Sequence, residues 1–177
     1  MKQYRTPALV AVMFALGLGV AASAQAPIEE LAIFVPFAKS EWAGRFQDPR
    51  APQVDHVIEW NAILDGQAVR WTKSVEALGF SMETTFSWDW EIAAVSFVQL
   101  ASNGSHAQGV AMAEGDRLVL VGVSAQPLGP VEFRQTFEIL ADETLEDRYY
   151  RRAGEGWAPQ HVIVYHRTQE EGEYPAG

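Results

Sequence analysis

The chain has 177 residues, no cysteine, and 23 acidic against 13 basic residues, which gives a formal net charge of −10 at pH 7. The absence of cysteine excludes disulfides, thiol catalysis, thiolate zinc sites and iron–sulfur clusters. An acidic chain without a basic block has little to hold a phosphate backbone, so nucleic acid is not expected as a partner.

The first 26 residues have the pattern of a secretory signal peptide. Basic residues stand near the start, an apolar run covers residues 8–22, and residues 24–26 (Ala-Gln-Ala) form the small-x-small pattern of a cleavage site. The run is short for a membrane span, so we expect cleavage after Ala26 and no stable membrane insertion afterwards. The sequence therefore predicts a periplasmic or secreted protein with a signal peptide (1–26), a single domain (27–167) and a flexible acidic tail (168–177).

The segment 27–40 has the spacing of a helix. Apolar residues recur every three or four positions from Ile28 to Val35, and two glutamates stand in the first turn, where the helix dipole favours them. Pro36 limits the length of this helix. We expect one short helix that covers an end of the domain.

After Glu41 the chain changes to the two-residue alternation of β-strands. Short turns, such as the one at Asp65-Gly66, separate about ten segments with this pattern between Trp42 and Arg167. Strands at this spacing with no helix between them indicate an up-and-down antiparallel sheet, and closure into a barrel leaves the fewest free edges. The sequence therefore predicts a mainly β domain: an antiparallel up-and-down barrel of about ten strands with one short N-terminal helix.

The alternation also predicts which side chains face the barrel interior. His56, Trp60, Trp71 and Trp88 share the phase of the apolar residues on their strands, and His106 shares the phase of Gln108, Val110 and Met112. Arg70, Glu83 and Arg134 are out of phase, so we expect them on the solvated outer wall.

Two further sets of polar residues are interpreted from their positions. His161 and His166 are five residues apart on one strand, so they should point to opposite faces and cannot share a metal ion. The acidic residues Asp142-Glu143 and Glu146-Asp147 are predicted to form a turn and a solvated strand edge.

Several segments resemble known barrels. Residues 42–46 (Trp-Ala-Gly-Arg-Phe) open the first strand directly after a short helix, and lipocalins and nitrobindin-like barrels use a similar strand, whose indole closes one end of the barrel. The chain also resembles a family of small exported bacterial proteins of unknown function in Glu59-Trp60, residues 64–70, Met82-Glu83-Thr84 leading to Trp88-Asp89, and Gly156-Trp157 leading to His161 and Tyr165.

This resemblance covers roughly residues 31–167 and implies a lipocalin-like, calycin-type barrel with Trp42 as the residue that closes one end. The family brings no established catalytic residues. The opening strand lacks the fuller glycine–tryptophan–glycine pattern of nitrobindin-like proteins, so no cofactor is predicted, and haem on an inward histidine is the alternative.

Three functions are compatible with these patterns. The barrel binds a small apolar or amphipathic molecule, or it is a packed structural barrel that binds a partner protein, or it is a small acid–base enzyme that uses an inward histidine. We favour the first. No catalytic or metal-binding motif is present, and the sequence does not indicate an oligomeric state. The predicted ligand-binding residues are His56, Trp60, Trp71, Phe86, His106, Gln108, Gln135 and His161.

Overall fold

A computed structural model describes residues 27–38, 40–126 and 129–168. The predicted signal peptide and residues 169–177 of the predicted tail lie outside the described residues. No helix in the described ranges is long and apolar enough to cross a membrane.

Ten antiparallel strands follow a 3-10 helix that spans Glu29–Phe34. Two single turns of 3-10 helix, Leu64–Gly66 and Glu76–Leu78, lie in connections between strands. The strands are β1 (Glu41–Phe46), β2 (His56–Ile63), β3 (Ala68–Val75), β4 (Phe80–Asp89), β5 (Ala94–Ala101), β6 (His106–Glu114), β7 (Arg117–Gln126), β8 (Gly129–Ile139), β9 (Leu145–Ala153) and β10 (Gly156–Arg167).

Each strand pairs with its neighbours in the chain, and β10 also pairs with β1, so the sheet closes into a barrel. The two-residue alternation is the cause of this arrangement, because it gives each strand one apolar face. In β2, for example, His56, Ile58 and Trp60 are buried and the residues between them are less so. The predicted ten-stranded antiparallel up-and-down barrel is confirmed.

The N-terminal segment closes one end of the barrel. Leu31 and Phe34 are fully buried, and the Phe34 ring lies 5.8 Å from the ring of Trp60 and 4.6 Å from that of Phe86. The Ile28 N–H donates to the carbonyl of Gly66 in the β2–β3 connection. We call residues 29–38 the plug. The end of the barrel that they close is the plug end, and the opposite end is the far end. The helix is shorter than the predicted segment and of the 3-10 type, and it ends before Pro36.

Strand β6 corrects the predicted orientation of two residues. His106 and Gln108 are exposed on the outer wall, and the inward positions of this strand are Ala107, Gly109 and Ala111. The prediction was wrong because the inward residues here are small. Across the β5–β6 pair, Phe97 lies opposite Gly109 and fills the space that larger inward side chains on β6 would occupy.

Strand β9 corrects a second prediction. Asp142 and Glu143 lie in a turn, as expected, but Asp147 is fully buried and Glu146 is 8% exposed. The strand begins at Leu145, which is fully buried, so the alternation carries Asp147 into the interior two residues later.

The three residues predicted to lie on the outer wall are found where the two-residue alternation of their strands places them. Glu83 is exposed, and Arg134 bonds through Nη2 to the Glu114 carboxylate at 2.6 Å on the outer surface. Arg70 stands between Val69 and Trp71, which are both fully buried, so its side chain belongs to the opposite face of β3.

Candidate functional site: the lumen cluster

Aromatic rings fill the half of the barrel interior next to the plug. The rings of Trp60 and Trp71 stack with centroids 5.3 Å apart, and Phe137 meets both edge-on, at 5.3 and 5.1 Å. Phe86 lies 5.7 Å from Trp60, and all four side chains are fully buried. The predicted ligand-binding residues Trp60, Trp71 and Phe86 therefore belong to one packed group, and Trp60 and Phe86 also contact the plug.

Trp42 is also fully buried near the plug end, where it follows the plug in the chain. The guanidinium of Arg167 lies over its ring, 4.4 Å from the centroid. Trp42 pairs across the closing strands with Arg167 and across β1–β2 with Ile58. Trp42 therefore lies where β1 pairs with β10, and its role in closing an end of the barrel stays a prediction.

The other half of the interior contains a charged pair. Lys73 on β3 reaches across the lumen to Asp147 on β9, and Nζ lies 3.9 Å from Oδ2, beyond hydrogen-bond distance. The Lys73 side chain is 10% exposed and that of Asp147 is fully buried. Gln135, a predicted ligand-binding residue, donates from Nε2 to the other Asp147 oxygen at 2.7 Å.

Two predicted histidines stand beside this pair. His56 is 5% exposed and His161 is partly buried, and the ring of Phe46 meets each of them edge-on, with centroids 4.7 and 5.3 Å away. The His161 ring stacks on Tyr149 with a centroid separation of 5.2 Å. His166 lies on the outer face of β10 and is exposed, so the prediction that the two β10 histidines diverge is confirmed.

Burial controls the protonation of these groups. It lowers the pKa of His56 to about 4 and that of His161 to about 4, and the positive charge of Lys73 adds to both shifts. Both rings are therefore neutral at pH 7. Burial also lowers the pKa of Lys73 and raises the pKa of Asp147, and each partner's charge opposes the shift of the other.

Several buried polar atoms of this region have no hydrogen-bond partner among the described residues. They include both ring nitrogens of His56, Oδ2 of Asp147 and the hydroxyl of Tyr165. Buried polar groups are nearly always hydrogen-bonded in folded proteins, to protein or to ordered water, so these atoms can accept or donate further hydrogen bonds to water or to a small molecule. We call His56, Lys73, Gln135, Asp147, Tyr149, His161 and Tyr165 the lumen cluster.

The lumen cluster is not completely buried. Tyr149 and His161 are partly exposed, and Arg151, two residues beyond Tyr149 on the same face of β9, is exposed. The fully buried side chain of Ile163 and the nearly buried side chain of Phe133, 2% exposed, provide apolar walls in the same half of the barrel. Apolar surface and unsatisfied polar groups therefore lie side by side in this half of the barrel.

The structure brings together three of the predicted residues, His56, Gln135 and His161. Sequence reasoning missed the charged pair at the centre of the cluster. Lys73 is in phase with Val69, Trp71 and Val75, all of which are buried, so the signal for its inward position was present. The signal for Asp147 was its spacing from Leu145, but the acidic residues around it indicated a solvated edge.

The described residues contain no group of three or more histidine, aspartate or glutamate side chains that could hold a metal ion. The cluster's available donors and acceptors are instead two neutral imidazoles, an ammonium group, a carboxylate, an amide and two phenols. This set can form hydrogen bonds and transfer protons.

A separate apolar cavity of about 410 Å³ lies beside the plug. It is bounded by Ile33 and Phe37 of the plug and by Leu118 and Ile139 of the barrel wall. The ionic groups at its edge are Asp116 and Arg117, and Arg117 is already bonded to Glu138 at 2.7 Å. This cavity contains none of the unsatisfied buried groups, so the lumen cluster is the better candidate site.

The chain matches no protein-family model and no curated protein.

Proposed function

We propose that the barrel binds one small neutral amphipathic molecule, whose polar group contacts the lumen cluster. The observation that carries this proposal is His56, which is 5% exposed and has no partner for either ring nitrogen among the described residues. A neutral imidazole offers one donor and one acceptor. A hydroxyl or carbonyl group of a ligand matches what this side chain lacks.

The charges of the lumen cluster favour a neutral ligand. Lys73 and Asp147 have opposite charges, and the two histidines are neutral at pH 7 because their pKa values are about 4. A charged ligand group would leave a net charge in the barrel interior, which costs several kcal/mol by desolvation. A neutral polar group avoids that cost and still forms hydrogen bonds.

The far end supports the amphipathic character of the ligand. Phe46 contacts both histidines, and the ring of Phe133 stacks on Tyr149 with centroids 5.5 Å apart. These rings give the apolar part of a ligand a surface to cover while its polar group reaches His56. Transfer of this part from water is worth about 25 cal/mol for each Å² of apolar surface buried.

A fluorescence titration tests the proposal. N-phenylnaphthylamine, a neutral probe whose emission rises in apolar surroundings, is added to the protein, and hexanol is then added as a competitor. We expect the probe to bind and hexanol to displace it. The variant His56→Leu should weaken hexanol binding by about 2- to 12-fold, which corresponds to one hydrogen bond of about 0.5–1.5 kcal/mol.

The matched control is His106→Leu, because His106 is exposed on the outer wall. It should leave the displacement curve unchanged. Equal weakening by both variants would contradict the lumen as the binding site. The absence of any fluorescence response would favour a packed structural barrel.

We further propose that the chain is exported and that it belongs with the calycin-type barrels. The sequence pattern of residues 1–26 supports export, and the closed antiparallel barrel with a buried Trp42 is consistent with that fold. Mass analysis of the protein purified from cell fractions tests export. The expected result is a periplasmic or secreted protein that begins at Pro27, and a cytoplasmic protein that begins at Met1 would contradict it.

A further inference from the structure

The distribution of lysine in this chain is uneven. The chain contains three lysines, Lys2, Lys39 and Lys73, and its other basic residues apart from histidine are arginines. In the described ranges every arginine is exposed or partly exposed, whereas Lys73 is the one lysine and stands inside the barrel. Arginine stays protonated in proteins, but a buried lysine can lose its proton and become a nucleophile. The interior position therefore holds the basic residue type that can react.

The surroundings of Lys73 meet the needs of an amine nucleophile. A carboxylate oxygen of Asp147 lies 3.9 Å from Nζ and has no hydrogen-bond partner among the described residues, so it is free to accept a proton. Burial lowers the pKa of Lys73 and raises the pKa of Asp147, and both shifts favour the neutral amine and the neutral acid. The lysine side chain is 10% exposed, so it is not completely buried, in contrast to that of Asp147.

We propose that Lys73 captures a neutral aldehyde in the barrel as a reversible imine, with Asp147 as the proton carrier. This inference rests on the proposed function, because the aldehyde is a neutral amphipathic molecule in the same site. It names a ligand class, small aldehydes with an apolar chain, and a covalent mode of retention.

The step balances as follows. Asp147 takes a proton from the Lys73 ammonium group, and the lone pair of Nζ forms a bond to the carbonyl carbon while the carbonyl π electrons move to oxygen. Proton transfer from nitrogen to oxygen gives a neutral carbinolamine. Protonated Asp147 donates a proton to the hydroxyl group, which leaves as water, and the nitrogen lone pair forms the C=N bond. The product is a protonated imine beside the Asp147 carboxylate. The net charge of the pair is therefore the same as before the reaction.

Reductive trapping tests the inference. The full protein is incubated with hexanal and cyanoborohydride, which reduces an imine to a stable secondary amine, and the modified residues are identified by peptide mass mapping. We expect Lys73 to be the dominant site of modification, ahead of Lys39, because burial lowers the pKa of Lys73 and so raises its free-amine fraction. Lys39 and the terminal amine serve as internal comparators, so this measurement needs no variant.

Two variants refine the test. Lys73→Arg keeps a positive charge beside Asp147 and should abolish the dominant adduct. Asp147→Asn keeps the acceptor oxygen for Gln135 but removes the proton carrier, so capture should slow by about 100-fold. Unchanged capture in Asp147→Asn would overturn the role of Asp147.

The outcomes separate this inference from the proposed function. Hexanol displacement without preferential modification of Lys73 would overturn the imine and leave non-covalent binding in place. Equal modification of Lys39 and Lys73 would overturn the imine in the same way. If hexanol does not bind and Lys73 is not modified, both proposals are wrong.

Discussion

Lys73 and Asp147 form a contact across the barrel interior, with Nζ 3.9 Å from Oδ2. Their strands, β3 and β9, are separated in the wall by β2, β1 and β10, so the contact joins parts of the sheet that share no backbone hydrogen bonds. Each charge is buried and has the other as its counter-ion. The interior of this half of the barrel is thus organised around one ion pair.

Removal of one member of this pair should be more damaging than removal of both. Lys73→Met leaves the Asp147 carboxylate buried without a counter-ion, and we expect it to lower the free energy of unfolding by about 3–5 kcal/mol. The double variant Lys73→Met/Asp147→Asn leaves no buried charge and should be more stable than Lys73→Met alone. Urea unfolding of the three proteins measures the difference.

The control is the surface pair Arg117–Glu138, in which Nε of Arg117 lies 2.7 Å from Oε2 of Glu138. Arg117→Met should leave the urea midpoint close to that of the wild type, because an exposed ion pair contributes little. A double variant less stable than Lys73→Met would contradict the dependence of each charge on the other.

The plug should contribute to stability as part of the core. Phe34 is fully buried between Trp60 and Phe86, so Phe34→Ala should lower the free energy of unfolding by about 3–5 kcal/mol through loss of packing and the cavity that remains. Val35, the next residue, is 52% exposed, and Val35→Ala is the matched control with an expected change within about 0.5 kcal/mol. Similar urea midpoints for the two variants would show that the barrel is stable without the plug.

Two facing glycines determine how closely β6 and β7 approach Phe97. Gly109 lies opposite Gly122, and a Cβ on Gly109 would lie 2.1 Å from the carbonyl oxygen of Val121 and 2.9 Å from the Phe97 ring. Gly109→Ala should therefore lower the free energy of unfolding by about 1–3 kcal/mol. At Gly156 the nearest atom to an added Cβ is 3.9 Å away, so Gly156→Ala should not destabilise the protein. Thermal unfolding followed by circular dichroism compares them, and equal midpoints would contradict the proposed clash.

The fold was predictable from the sequence because its signal is repeated along the chain. The alternation recurs in most of the ten strands, and an error in one strand, such as β6, does not change the architecture. The phase of β6 was misjudged because Val110 and Met112 lie outside while Ala107, Gly109 and Ala111 lie inside. The orientation of β6 depends on the interior volume that Phe97 of the neighbouring strand β5 leaves free. The alternation within β6 alone does not contain that information.

The site was less predictable than the fold, since it depends on contacts between distant strands. The inward position of His56 followed from periodicity, whereas for His161 and His166 periodicity predicted only that they point to opposite faces. The importance of Lys73 depends on Asp147, which comes from a strand on another part of the wall, and the sequence does not show that the two meet. A charged residue in phase with buried neighbours, such as Lys73 between Trp71 and Val75, was the available signal.

The pH dependence of stability should report the two lumen histidines. In the unfolded chain a histidine titrates near pH 6.5, whereas burial lowers the pKa of His56 and of His161 to about 4. Between these values the unfolded state binds more protons than the folded state. The histidine contribution is therefore fully present above about pH 6.5 and is lost progressively as the pH falls toward about 4.

Urea midpoints at about pH 7 and about pH 5 test this expectation. The raised pKa of Asp147 acts in the opposite direction on acidification, so the comparison of variants is more informative than the wild-type slope. His56→Phe removes one of the two histidine contributions and should reduce the loss of stability between the two pH values. His106→Phe, on the exposed wall, should retain the wild-type dependence. Identical pH dependence in the two variants would mean that His56 becomes protonated in the folded barrel as readily as in the unfolded chain.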